Sequence, residues 1–341
     1  MKHTFFMLCC FTILLHLSSC VSEPKKDSQE TVNNYFTNHD VPIQTGGVEM
    51  IPVQTPSGTY RVWTKRIGNN PKTKVLLLHG GPGRTHEYLE CFESFLPAEG
   101  IEFIYYDQLD CGNSDRPHDT TLYDLPRFVE ELEQVRQALH LDKNNFFLYG
   151  HSWGGILAMQ YALKYQDHLK GLIISDMMAS CPEYDRYANE VLSKQMDPTV
   201  LDTIMKLESE GKYSDPLYSD LLRKHFYDKH ICRLEEWPEP VDRMFRGLNG
   251  EMYVMMQGPS EFGISGKLEK WDVSTELKNI IVPTLVIGAT HDTMDPKYME
   301  WMSKEFPHGE FLLCPNGSHM CMYDDQIVFF DGLIRFLKQK S

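Results

Sequence analysis

Short apolar runs separated by loops and amphipathic stretches give this chain its dominant pattern. The runs have three or four residues each, which is the length of a buried strand and too short for a buried helix. An amphipathic helix is predicted after Asp124, where Pro126 stands near the helix start, and a further helix is predicted over 153–165. The runs predict strands at 75–78, 103–106, 146–149, 172–174, 284–287 and 311–313.

The alternation of these strands with helices sets the fold class. Buried apolar strands connected through helices predict an α/β protein with a mostly parallel sheet covered by helices on both faces. Two further strand-like runs flank the turn at 55–58. A closing helix is predicted to bury a face that carries Ile327, Phe330, Ile334 and Leu337.

The alternating pattern stops in one internal segment. Residues 177–266 contain helix formers, aromatic residues and charges, without an apolar strand run. We interpret this segment as a helical cap inserted over the carboxyl edge of the sheet. The core would then comprise residues 41–176 and 267–341.

The N-terminal residues indicate export. Lys2 precedes an apolar stretch at 5–17 that has the length of a signal-peptide core and is short for a membrane span. Residues 1–19 are therefore predicted to be a signal peptide, and the small residues before Cys20 resemble a bacterial lipidation site. A plain secretory signal is the alternative. Residues 20–40 form a polar tether, so we expect a protein lipid-anchored to a membrane of the bacterial envelope, in the periplasm or at the cell surface.

Charge and cysteine content exclude some partners. The formal net charge is −15, which argues against nucleic acid, because phosphate binding needs a basic face. No metal-ligand spacing is found among the cysteines, and neither a metal nor an organic cofactor is implied. Six cysteines follow the predicted export segment, and we expect most of them to be buried free thiols. The oligomeric state stays open.

A glycine-flanked serine is the strongest chemical signal. Residues 150–154 read Gly-His-Ser-Trp-Gly between a predicted strand and a predicted helix, which is the context of a nucleophile elbow with Ser152 as nucleophile. The glycine-rich loop at 79–83 follows an earlier strand, where a second oxyanion donor is expected. Gly81 and Trp153 are the predicted donors through their backbone N–H groups.

The acid and the base should follow the serine in chain order. Asp292 lies just after one predicted strand and His319 lies in the loop after the next, as the order serine, acid, histidine requires. His319 would accept the serine proton, and Asp292 would orient the imidazole. Asp295 is the competing candidate for the acid.

These motifs together resemble the proline iminopeptidase family of α/β-hydrolases, over most of the chain from about residue 41 to 338. The matching segments are the glycine-rich loop at 79–83, Tyr-Asp-Gln at 106–108, Cys-Gly-Asn-Ser-Asp at 111–115, the elbow at 150–155, Gln-Gly-Pro-Ser-Glu-Phe at 257–262 and Trp-Asp at 271–272. The resemblance implies an α/β-hydrolase fold and a serine exopeptidase. Its substrates would be short peptides or aminoacyl amides with a free N-terminus, often with an N-terminal proline.

The resemblance also implies a role for Glu261. A cap carboxylate would pair with the substrate's α-ammonium group, because a buried cation without a partner is costly. Several family members have a glutamate directly after the catalytic aspartate, and here that position is Thr293. The preference for proline over other N-terminal residues is therefore open.

Two other interpretations remain. An amino-acid amide or ester hydrolase could use the same three residues, because function depends on the cap more than on the fold. A binding protein that has lost catalysis is a further alternative, and the complete set of Ser152, Asp292 and His319 argues against it. Haloalkane dehalogenase and epoxide hydrolase chemistry is disfavoured, because those enzymes use an aspartate at the position of Ser152.

Overall fold

The computed structural model describes residues 47–341, and its centre is one eight-stranded sheet. The strand order is β1-β2-β4-β3-β5-β6-β7-β8. The first two strands are antiparallel additions at one edge, and the six strands from β4 to β8 along the sheet are parallel. The strands are β1 (Val48–Thr55), β2 (Gly58–Ile67), β3 (Lys74–Leu78), β4 (Glu102–Asp107), β5 (Phe146–His151), β6 (Gly171–Ser175), β7 (Thr284–Ala289) and β8 (Gly309–Cys314).

Helices connect the strands and cover the sheet. The α-helices are α1 (Leu125–Ala138), α2 (Trp153–Tyr165), α3 (Cys181–Tyr187), α4 (Pro198–Ser209), α5 (Pro216–Leu222), α6 (Asp228–His230), α7 (Glu239–Arg246), α8 (Gly250–Met256), α9 (Pro296–Glu305), α10 (Cys321–Asp324) and α11 (Gln326–Gln339). Short 3₁₀ or π segments fill several loops, including the 3₁₀ helix Glu87–Ser94 and the π segment Arg223–Tyr227. The α/β class and the mostly parallel sheet are as the sequence predicts.

The sheet is buried on both faces, which explains its unbroken apolar runs. In β3, Val75 and Leu77 pack into one hydrophobic core, whereas Leu76 and Leu78 pack into the other. Successive side chains of a strand point to opposite faces, so a strand covered by helices on both sides must be apolar at every position. This buried sheet holds the loops at its carboxyl edge in fixed positions.

The segment between β6 and β7 contains helices α3 to α8 and, within the described residues, no strand. It has a small hydrophobic core of its own, formed by Leu192, Met196, Ile204, Leu207, Tyr218, Leu222 and Phe226. These features agree with a helical cap, which we call the cap below. The boundaries at 177 and 266 stay a prediction.

One detail of the closing helix differs from the sequence-based expectation. Ile327 is 65% exposed, although it was expected on the buried face of α11. Phe329, Leu333 and Phe336 are fully or almost fully buried. The face of α11 that packs against the core is therefore defined by these residues and does not include Ile327. Phe330 and Leu337 are buried as expected.

The predictions for the N-terminal segment, including Cys20, fall outside residues 47–341. Within the part that the structure describes, no helix is both long enough and apolar enough to cross a membrane. In the same residues, no group of three or more His, Cys, Asp or Glu side chains is placed to hold a metal ion. The six cysteines from Cys91 onward are buried free thiols.

Candidate active site

Ser152 occupies a strained turn between β5 and α2. Its φ is 55°, a left-handed conformation that residues with a side chain rarely adopt. The Ser152 N–H donates to the Ser175 carbonyl at 3.0 Å, which ties the turn to β6. A Cβ on Gly154 would collide with the carbonyl oxygen of Leu78, so glycine is required where α2 passes the end of β3. The turn thus presents Ser152 at the carboxyl edge of the sheet, as expected for a nucleophile elbow.

Asp292 and His319 meet in the loops that follow β7 and β8. Nδ1 of His319 lies 2.7 Å from Oδ1 of Asp292, and both side chains are buried. Burial alone would lower the pKa of His319, but the charge and hydrogen bond of Asp292 outweigh it and raise that pKa above its ordinary value. Because Nδ1 donates to the carboxylate, Nε2 of the neutral imidazole is left as a proton acceptor.

Thr293 and Asp295 have structural roles beside this pair. The Thr293 N–H donates to Oδ1 of Asp292 at 2.6 Å, and its hydroxyl donates to the same oxygen at 3.2 Å. The Asp295 carboxylate accepts the Lys297 N–H at 2.9 Å and caps α9. The geometry therefore places Asp292 rather than Asp295 beside His319.

The glycine-rich loop lies against the serine. Gly81 has a φ of 121°, and a Cβ there would come within 2.7 Å of the Gly83 nitrogen. Gly81 and Ser152 line the same pocket. Trp153 is the first residue of α2, where a backbone N–H has no acceptor within its own helix, while its indole N–H donates to Gln108 Oε1 at 2.8 Å. Trp153 thus directly follows Ser152 and Gly81 lines the same pocket, while their role as oxyanion donors stays a prediction.

A chain of hydrogen bonds links this loop to the histidine loop. Nε2 of His151 lies 2.8 Å from the His319 carbonyl, which can only accept, so Nε2 carries the proton. Burial above all, followed by the charge of His319, holds the pKa of His151 well below its usual range, so its Nδ1 accepts. Tyr88 therefore donates to that Nδ1 at 2.9 Å and accepts the Gly80 N–H at 2.7 Å. The sequence analysis did not identify Tyr88.

Glu261 lines the same pocket, in an ion pair that the sequence did not predict. Nη2 of Arg84 donates to Oε1 of Glu261 at 3.0 Å, and the Tyr253 hydroxyl donates to the same oxygen at 2.7 Å. Arg84 and Glu261 are about 5% exposed each. Burial would lower the pKa of Arg84, but Glu261 and nearby tyrosines outweigh it and raise that pKa. The only feature of the sequence that could have indicated a role for Arg84 is its position directly after the glycine-rich loop.

One pocket gathers most of the predicted site residues. Ser152, His319, Gly81 and Glu261 all line it, and Asp292 lies behind His319. The other lining residues come from the glycine-rich loop and the segment after it, the elbow, the cap and the histidine loop; they are Gly80, Arg84, Tyr88, His151, Ile231, Phe245 and Met320. A nucleophile, a base with its acid, a glycine loop and a buried carboxylate are the parts that acyl transfer from a substrate with an amino group requires.

Known proteins resemble the chain in sequence and in structure. A family described as the alpha/beta hydrolase fold matches residues 73–326. The proline iminopeptidase of Chitinophaga pinensis is 57% identical over 292 residues, which cover 85% of this chain and 98% of the relative. That of Flavobacterium johnsoniae is 57% identical over 288 residues, covering 84% and 97%. The crystal structure of the Mycobacterium smegmatis proline iminopeptidase has a TM-score of 0.75 at 26% identity and covers 86% of this chain and 98% of its own.

The sheet, the elbow and the family match define the class as an α/β hydrolase. The two relatives that are 57% identical over most of this chain show which family within this class it belongs to. The chain belongs to the proline iminopeptidase family and is a serine hydrolase of the exopeptidase type. The resemblance found in the sequence motifs is confirmed.

Proposed function

We propose that this protein is a prolyl aminopeptidase that acts through Ser152, His319 and Asp292 and an acyl-enzyme. The observation that carries the proposal is the shared pocket, in which Ser152, His319 and Glu261 converge while Asp292 holds the histidine. The proline iminopeptidase relatives, which match nearly their full length, support the same activity. Short peptides with a free N-terminus are the proposed substrates.

The mechanism follows from the orientation of His319. With Nδ1 bonded to Asp292, Nε2 accepts the Ser152 proton as the hydroxyl oxygen attacks the scissile carbonyl. The backbone N–H groups of Gly81 and Trp153 stabilise the oxyanion, and loss of one such donor typically costs about 10²–10³ in rate. His319 then protonates the leaving amine, and water hydrolyses the acyl-enzyme by the same steps in reverse order.

Glu261 would bind the α-ammonium group of the substrate. It is a buried carboxylate on the wall of the pocket that contains Ser152. Its partner in this structure is Arg84, at 3.0 Å, so an incoming ammonium group shares or replaces a cation that is already present. The sequence already lacks a second carboxylate at Thr293, and the pairing of Glu261 with Arg84 leaves still less negative charge for the amine.

The experiment is hydrolysis of prolyl p-nitroanilide by the wild type, Ser152→Ala and His319→Ala. We expect each variant to lose essentially all turnover while its melting temperature stays close to that of the wild type, since the triad acts as a unit. N-acetylprolyl p-nitroanilide should be a poor substrate of the wild type. Turnover that survives Ser152→Ala would show that the proposed mechanism is wrong.

An amino-acid amide or ester hydrolase with the same triad is the second candidate. Amino-acid amides and esters carry the same α-ammonium group as peptides, so Glu261 would fit both substrate classes, and the two candidates differ only in the leaving group. A panel of prolyl and alanyl peptides, amides and esters separates the two. Higher kcat/KM on simple amino-acid amides than on any peptide would favour the second candidate.

We also propose that the chain is exported and acylated at Cys20, from the sequence pattern before that residue. A single acyl chain binds membranes only marginally, whereas a multiply acylated anchor is stable. Labelled palmitate should be incorporated in cells and should be lost in Cys20→Ala. Incorporation that persists in the variant would contradict the proposed anchor.

A further inference from the structure

The catalytic pocket is small, and a larger cavity lies beside it. The pocket at Ser152 has a volume of about 10 Å³, roughly the space that one water molecule needs. The neighbouring cavity, which we call the cap chamber, has about 510 Å³ and is formed almost entirely by cap residues. Four polar or charged cap residues line it, namely Ser214, Ser219, Asp220 and Arg223. Aromatic residues are its largest group, and they are Tyr213, Tyr218, Tyr227, Trp237, Phe245 and Tyr253.

Two residues separate the cavities, because Arg84 and Phe245 line both. They are in contact, with the guanidinium carbon of Arg84 3.9 Å from the centre of the Phe245 ring. Arg84 is also held by Glu261 on the pocket side. The two side chains therefore form a partition between Ser152 and the cap chamber.

The cap chamber lies at the amine end of the substrate site. Glu261 contacts three residues that line the chamber: Arg84, Tyr253 and Tyr227, whose hydroxyl accepts the Glu261 N–H at 3.3 Å. If Glu261 binds the α-ammonium group, the chamber begins where the N-terminus of the substrate ends. Groups that extend beyond that N-terminus would point into it.

The ion pair between Arg84 and Glu261 explains why the Arg84 side chain stays between the two cavities. A buried carboxylate without a partner is costly, and Arg84 supplies the countercharge to Glu261. The guanidinium group also has aromatic faces on the chamber side, since it lies 5.3 Å from the centre of the Tyr253 ring. A pocket of about 10 Å³ cannot receive an aminoacyl group unless a wall moves, and this wall borders free volume.

We propose that Arg84 is a specificity-determining residue that closes the amine end of the catalytic pocket, and that the cap chamber behind it binds apolar or aromatic acyl groups when Arg84 is displaced or shortened. This inference rests on the proposed function, since it takes Ser152 as the nucleophile and Glu261 as the amine ligand. It adds the residue that limits the size of the acyl group.

The test compares p-nitrophenyl acetate, butyrate and hexanoate, which carry no amine. In Arg84→Ala, the ratio of kcat/KM for hexanoate to that for acetate should rise at least about tenfold over the wild type, because the added methylene groups leave water for an apolar wall. Arg84→Lys keeps the charge and most of the length, and should stay within about threefold of the wild-type ratio. Arg246→Ala is the matched control, because Arg246 is on the same helix as Phe245, is exposed and pairs with Glu239; its ratio should be that of the wild type.

Loss of Arg84 leaves Glu261 buried without its cation, which could unfold the variant. The double variant Arg84→Ala/Glu261→Gln removes that charge and should show the same rise in the hexanoate ratio. A folded double variant with the wild-type ratio would overturn the proposal. Failure of the proposed function has a different readout, because it would appear as ester hydrolysis that persists in Ser152→Ala, whatever the acyl-length ratio.

Discussion

Nδ1 of His319 lies 2.7 Å from Oδ1 of Asp292, and the backbone N–H of Thr293 donates to that same oxygen at 2.6 Å. The hydrogen bond from Thr293 holds the Asp292 carboxylate in the position in which it orients the imidazole. Asp295, three residues along, instead accepts a backbone N–H at the start of α9. Asp292 and Asp295, although only three residues apart, therefore have separable roles.

The first prediction compares these acids. Asp292→Asn should lower kcat by up to about 10⁴, because an amide can no longer hold the required tautomer of His319. Asp295→Asn should leave kcat within a few-fold of the wild type, since asparagine also caps helices well. Steady-state kinetics on prolyl p-nitroanilide measure both. The reverse order of the two losses would assign the acid to Asp295.

The pH dependence should follow the pKa of His319. The imidazole must be neutral to accept the serine proton, so kcat/KM rises with pH through its pKa in the free enzyme. Although burial acts to lower that pKa, Asp292 raises it above 6.5, so the acidic limb should lie above that of an unperturbed histidine. In Asp292→Asn the pKa of His319 loses this increase, so the acidic limb of the residual activity should lie at lower pH than in the wild type. Measuring p-nitrophenyl acetate hydrolysis avoids titration of a substrate amine, and an unchanged limb would contradict the role of Asp292.

A stability prediction concerns the elbow. In Gly154→Ala the new methyl group would collide with the Leu78 carbonyl oxygen and lie 2.9 Å from that of His79, both backbone atoms that cannot move cheaply. We expect a loss of several kcal/mol, as for overpacked sites at their worst. Gly250→Ala is the control, because no atom lies within 4 Å of its added Cβ and the change within a helix should be neutral or stabilising. Thermal melting measures both, and a Gly154→Ala protein as stable as Gly250→Ala would refute the packing argument.

The strands and the nucleophile elbow were predictable because local sequence determines them. A strand buried on both faces must be apolar throughout, so runs such as 75–78 and 146–149 appear directly in the sequence. The elbow requires glycines at fixed spacing around Ser152. Asp295 could also have been assigned from sequence, since an aspartate followed by Pro296 is a typical helix start.

The ion pair between Arg84 and Glu261 could not be predicted in this way. The two residues are 177 positions apart, and their contact depends on how the cap packs over the sheet edge. No periodicity or spacing carries that information in a single sequence. The same holds for Tyr88, whose hydroxyl joins Gly80 to His151, a residue 63 positions away at the end of β5.

The last prediction concerns Glu261 as the ligand of the substrate's α-ammonium group. Glu261→Gln keeps a hydrogen-bond acceptor but removes the charge that compensates the ammonium, so KM for prolyl substrates should rise several-fold or more. Arg84 strengthens this expectation, because the variant leaves its buried guanidinium unpaired next to the position of the incoming cation. Like charges in a site of low dielectric constant repel strongly.

The control for Glu261→Gln is a substrate without an amine. Hydrolysis of p-nitrophenyl acetate depends on Ser152, His319 and Asp292, none of which has a hydrogen bond with Glu261 among the described residues, so its kcat/KM should stay within about twofold of the wild type. Arg84→Lys retains a cation beside an intact Glu261 and should keep most of the affinity for prolyl p-nitroanilide. If Glu261→Gln instead lowers ester and prolyl hydrolysis equally, Glu261 stabilises the pocket and does not bind the amine. Selection for a free N-terminus would then have to come from another part of the cap.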